Sequence, residues 1–182
     1  TELEYNISAL ESKAEQEEAD SKSFEEFIDD FERKTAFDET ITKEEEAEMF
    51  AQVPALQTIL EKKTNLLKET KKEIEKNKLI QKLHRDYQGK SQEERREELV
   101  SIDRELNGLV SYYSNQGNVV TQKAQDDMDT ARLRISILEE VIEAYNKGEQ
   151  EEEQRRRSEN TQKMMAAADK ASRDATALRN PT

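Results

Sequence analysis

Residues 124–145 read AQDDMDTARLRISILEEVIEAY. Within them Ala124, Met128, Ala131, Ile135, Leu138, Ile142 and Tyr145 recur at steps of four and three. That spacing lines one side of an α-helix with a narrow apolar seam. Upstream, Leu99, Ile102, Leu106, Leu109 and Tyr113 keep the same steps. Between the two runs lies Asn115-Gln116-Gly117-Asn118, the best turn signal in the chain. It can join two antiparallel helices, or glycine can sit in one continuous helix at a cost of about 1 kcal/mol.

Working back toward the start, Ser91 and Glu94 fit a capping box and open the helix of Leu99. Gly89 closes a longer one, predicted over 55–87, with Leu56, Ile59, Leu60, Leu66, Leu67, Ile74, Leu79, Ile80, Leu83 and Tyr87 apolar. Its seam also passes through Lys63, Thr70 and Asn77. Val53-Pro54 predicts a kink or a new helix start, because proline lacks the N–H and restricts its neighbour. Thr42 and Glu45 fit another capping box, ahead of a short helix carrying Met49 and Phe50 inward. The first helix is predicted over 2–34. Its frame runs through Leu3, Ile7, Leu10 and Ala14, turns polar at Glu17 and Ser21, and resumes at Phe24, Ile28 and Phe31, with Phe27 widening the stripe.

Toward the other end, Asn146-Lys147-Gly148 offers a helix stop, and Glu149–Arg157 is a nearly all-charged, solvated stretch. Met164, Ala168, Ala171, Ala175 and Leu178 then hold heptad spacing on a seam that is mostly alanine. Such a seam permits close approach of another helix and buries little area alone. Asn180-Pro181 stops it. The predicted fold is all-α, an elongated helical bundle of antiparallel coiled-coil hairpins. It has three segments: an acidic one over 1–54, a central hairpin core over 55–147, and a charged then Ala/Met-rich helix over 148–182.

Composition agrees with that architecture. Charged residues make up 39% of the 182 and hydrophobic ones 33%, and the mean hydropathy is -1.09. A narrow seam needs only two or three apolar positions in seven, whereas a wide core needs more. The net charge of -13 is unevenly placed: residues 1–54 hold 18 acids and 5 bases, and the remainder balances. Residues 61–85 carry nine bases against four acids. Pairing the acidic helix antiparallel with the basic one is one use for that asymmetry, and a basic partner protein is another. Zero cysteines exclude disulfides and thiolate ligands. With no visible signal peptide, the expected compartment is the cytoplasm.

Chemistry finds little purchase. Catalysis needs convergent groups in a dry cleft, and His84 is the only histidine. His84-Arg85-Asp86 matches part of a kinase catalytic loop, but no Asp-Phe-Gly follows. Gly89-Lys90-Ser91 matches the end of a phosphate loop, but His84 stands where the earlier glycine belongs. Residues 37–45 match the exit of a calcium loop, with Lys34 and Ala36 at ligand positions and Glu39 where glycine is required. Clustered carboxylates such as Glu44-Glu45-Glu46 point in different directions around a helix and form no cage. No metal, cofactor or small-molecule substrate is expected, and the acidic balance disfavours nucleic acid.

The function expected is non-enzymatic: a helical scaffold, tether or assembly subunit that binds a helical protein partner or itself. Two apolar surfaces are candidate partner-binding sites. One is Phe24, Phe27, Ile28 and Phe31; the other is Met164, Ala168, Ala171, Ala175 and Leu178. The alternative is a membrane-shaping dimer of BAR type, which the net charge opposes because anionic lipids attract basic surfaces. An enzyme with a site at His84 is the weakest alternative.

Overall fold

A computed structural model describes residues 1–115, 117 and 119–179. The fold is an all-α helical bundle of five helices, with no strand among the described residues. They are α1 (Glu2–Phe37), α2 (Lys43–Phe50), α3 (Val53–Gln88), α4 (Gln92–Asn115) and α5 (Gln122–Arg179). The chain divides into two compact units, Thr1–Lys82 and Leu83–Thr182.

Hydroxyl side chains start four of the five helices. Thr1 Oγ1 accepts from the Glu4 N–H, Thr42 Oγ1 from Glu45, Ser91 Oγ from Glu94 and Thr121 Oγ1 from Ala124. Each satisfies one of the orphan donors of a first turn. At Ser91 the capping box takes a variant form, in which the hydroxyl also donates to the Glu94 carboxylate at 3.0 Å. Val53-Pro54 is a new helix start, with proline in the first turn where its missing N–H costs nothing. Gly117 has a φ of 61°, as the turn signal requires. Gln116 and Asn118 of that turn lie outside the described residues, as does the Asn180-Pro181 stop.

In the first unit α1 and α3 run antiparallel. Glu11 pairs with Lys78, Glu17 with Thr70 and Asp20 with Lys63, so numbers rise on one helix as they fall on the other. Ile7, Ala14, Ile28, Thr70 and Ile74 fill the seam. Its polar middle is shared by both helices. The Thr70 hydroxyl donates to Glu17 Oε2 at 2.9 Å; Glu17 Oε1 and Ser21 Oγ are buried without a hydrogen-bond partner, although the Lys13 ammonium stands 3.8 Å from Glu17 Oε1. A polar break in an apolar seam penalises every register that would strand these groups against hydrocarbon.

The second unit holds the last residues of α3, with α4 antiparallel to α5. Gln92 reaches Ile142 and Asn146, and Arg134 reaches Glu98. Leu83, Tyr87, Ile102, Ala124, Met128, Ile137, Leu138 and Val141 form its core. Ile137 and Val141 are deeper than Ile135 and Ile142. The packed face of α5 is thus broader than the two-position seam read from spacing, because both α4 and the end of α3 bear on it. Arg95 is buried and caps α3: its Nε donates to the Tyr87 carbonyl at 2.7 Å and a terminal nitrogen to Gln88 at 3.1 Å. Beside it Glu98 bridges Lys90 and Arg134, and Arg134 also donates to the Tyr87 hydroxyl.

α5 does not stop at Asn146-Lys147-Gly148. It continues as helix through Gly148 to Arg179. A glycine costs a helix interior about 1 kcal/mol, which strong helix formers on either side offset.

Candidate functional site

The aromatic cluster lies on the later half of α1. Ile28 is in the core, only 4% exposed, so it supports the surface rather than forming it. Phe24 and Phe31 are half-buried and Phe27 is 53% exposed. The rings of Phe24 and Phe27 have centroids 5.9 Å apart, and those of Phe27 and Phe31 6.4 Å. Lys63 of α3 places its Nζ 5.5 Å from the centre of the Phe24 ring and 2.6 Å from Asp20 Oδ2. On α3, Ile59 and Leu66 stand four residues before Lys63 and three after it, and both are exposed. Both belong to the apolar positions of the helix predicted over 55–87, yet they lie outside its buried seam. Lys63 therefore joins the aromatic row of α1 to an uncovered aliphatic row of α3.

The second surface is the end of α5. From Lys147 to Arg179 every residue is exposed except the half-buried Glu152. Met164 is 73% and Leu178 82% exposed, and Ala168, Ala171 and Ala175 lie open between them. This stripe does not continue the packed face. Extending the four-three steps from Tyr145 lands on Glu149, Glu152, Arg156, Glu159 and Lys163, so Met164 opens a new frame. The helix there is held by its own pairs: Glu152 with Arg155 and Arg156, Glu153 with Arg157, and Asp169 with Arg173. Arg155 lowers the pKa of Glu152, as an adjacent cation does.

His84 lines a groove of about 300 Å³ with Gln88, Arg95, Glu140, Val141, Ala144 and Tyr145. Its Nε2 is 3.9 Å from Glu140 Oε2. The Arg95 guanidinium stands 5.6 Å from the centre of the Tyr145 ring while its donors hold the end of α3. A hydrogen bond to Glu149 is the main cause that raises the Tyr145 pKa. The groove lining includes no serine or threonine.

The calcium-like stretch turns its carboxylate on itself. Asp38 Oδ1 accepts from the backbone N–H and the hydroxyl of Thr40, which lowers the Asp38 pKa. No group of three or more acidic or histidine side chains among the described residues is placed to hold a metal ion. Of the α3 lysines, Lys63 and Lys78 are paired with α1, while Lys62, Lys68, Lys71, Lys72, Lys76 and Lys82 are exposed. No described helix is long and apolar enough to cross a membrane. Compared with models of known families, with curated proteins and with solved structures, the chain matches none.

Proposed function

We propose that this chain is a non-enzymatic helical interaction protein, a scaffold, tether or assembly subunit, whose contacts are made helix against helix. The observation that carries this reading is the uncovered end of α5. About 50 Å of helix, at 1.5 Å per residue, leaves its core behind and presents an apolar stripe. A solvated spacer has no use for Met164, Ala168, Ala171, Ala175 and Leu178 on one side. Most helical stability in proteins comes from packing of an apolar face rather than from propensity, so a partner on the stripe also stabilises the helix that bears it.

A photo-crosslinking residue at Met164 of the full chain, expressed in its native cells, tests the reading. Adducts to a helical segment are expected from Met164 and not from Arg173, which lies away from the stripe. Adducts from neither position, or equally from both, would count against a docking stripe.

A further inference from the structure

We propose that Asn107-Gly108, in the interior of α4, is a self-modifying site: Asn107 loses its side-chain amide to the Gly108 backbone nitrogen, at a rate set by how often α4 comes away from α5. It is the one Asn-Gly pair in the chain.

The pair conflicts with the structure it sits in. Asn-Gly is among the strongest short-range signals for a tight turn, and both residues are poor helix formers. Yet α4 runs as unbroken helix through them, from Gln92 to Asn115. No close neighbour requires the glycine, since a Cβ there would meet nothing within 4 Å. Asn107 and Gly108 are both exposed, so neither is held by packing of its own. Their neighbours are held: Ile102 is buried, and Leu106 and Leu109 are half-buried. The helix across 107–108 is therefore imposed by the packing of α4, against local preference, and is lost when that packing opens.

That dependence controls a reaction. In the helix the Gly108 N–H is directed to the Arg104 carbonyl, four residues back. Helical backbone angles also keep its nitrogen from lining up on Asn107 Cγ. Once α4 opens, glycine has no Cβ to obstruct closure of a five-membered ring. The Gly108 nitrogen gives up its proton and bonds to Asn107 Cγ; the Cγ–Nδ2 bond breaks and ammonia leaves with that proton. One water then opens the succinimide at either carbonyl. The product is aspartate in the original backbone, or isoaspartate with the chain running through the side-chain carbon. Each adds one negative charge. Isoaspartate also lengthens the main chain by one carbon, which the i→i−4 ladder does not accommodate. The site thus keeps an irreversible record of α4 opening, and each isoaspartate weakens the helix that protected it.

The test holds the full chain at mildly alkaline pH, in native buffer and in concentrated urea. Liquid chromatography with mass spectrometry follows the Asn, Asp and isoAsp forms of the peptide containing residue 107. Conversion is expected in urea, and at least about tenfold more slowly in native buffer. Leu138 is 0% exposed in the core of this unit. Leu138→Ala should speed the native reaction about tenfold or more and leave the urea rate unchanged. Ile102→Val, a milder cut, should speed it about threefold, and it decides the point if Leu138→Ala does not fold. Gly108→Ala should slow conversion at least about tenfold in urea, where no helix protects the pair.

Three results would overturn the inference. One is equal rates in native buffer and urea, which would mean that the helix does not gate the reaction. Another is a core variant that stays folded and converts no faster than wild type. The third is a urea-unfolded wild type that fails to convert, or that converts no faster than Gly108→Ala.

Discussion

Between Gln122 and Asn146, α5 buries five side chains; between Lys147 and Arg179 it buries none. Both stretches are helix without a break, and both show apolar residues at four-three steps. The difference is what occupies those steps. In the first, Met128, Ile137, Leu138 and Val141 withdraw enough area from water to hold the helix by tertiary packing. In the second, alanine dominates, and stability comes from intrinsic propensity and from pairs such as Glu153 with Arg157, each worth about 0.3–0.5 kcal/mol. Identical periodicity therefore serves a core in one place and an open surface in the next.

The sharpest way to break that comparison is a matched pair of truncations. Leu138 is 0% exposed and Leu178 82%. Leu138→Ala is expected to cost about 3 kcal/mol of global stability, and Leu178→Ala less than about 0.5 kcal/mol. Urea unfolding at a dilution where the chain is monomeric measures both. Equal costs would mean that the end of α5 is packed after all.

A smaller effect sharpens the packed side. The Glu98 side chain is 19% exposed between Lys90 and Arg134. Burial pushes its pKa up, and the hydrogen bonds from Lys90 and Arg134 more than reverse that, leaving it below the ordinary 4.5. A carboxyl lowered on folding stabilises fully above its unfolded value, and that stability is lost as pH falls through the folded one. Lys90, raised above 10.5 chiefly by its hydrogen bond to Glu98, contributes below that value and loses its contribution as pH rises through the folded one. Glu98→Gln should cost about 1–2 kcal/mol at neutral pH and flatten the acid limb of the stability profile. Thermal melts of both proteins across pH, an unchanged acid limb being the adverse result, decide the point.

The smallest effect lies at the junction. A Cβ on Gly148 would meet nothing within 4 Å. Gly148→Ala should raise local helix stability by up to about 1 kcal/mol and deepen the helical circular dichroism signal. The urea midpoint of the packed core should not move; if it does, the two stretches are coupled more tightly than their contacts imply.

Much of the architecture is legible before any coordinate. Local signals with a mechanism translate well: Thr42 and Ser91 as caps, Pro54 as a start, and the Leu99–Tyr113 and Ala124–Leu138 seams. The polar positions Glu17 and Thr70 are visible separately, but only the fold sets them face to face. Arg95 reads as one more charge in Glu93-Glu94-Arg95-Arg96, because its role depends on where the α3 carbonyls end. Gly148 reads as a stop because a local breaker is visible, while the summed propensity of its flanks is diffuse. For the candidate surfaces, spacing identifies the stripe and the aromatic cluster. It does not reveal that Ile28 turns inward, that Ile59 and Leu66 join the cluster, or that 32 of the last 33 residues of α5 stay exposed. Exposure is a property of what fails to arrive beside a residue, and no residue type encodes it.

Amide hydrogen exchange along α5, measured on the full chain under monomeric conditions, tests the central claim most directly. Backbone opening in the packed stretch requires loss of the core, whereas fraying at the free end requires only the breaking of local pairs. Protection approaching the global unfolding free energy is expected through Ala124–Ile142, falling steeply near Asn146–Gly148 and staying low through residues 150–179. Uniformly high protection as far as Leu178 would contradict the account.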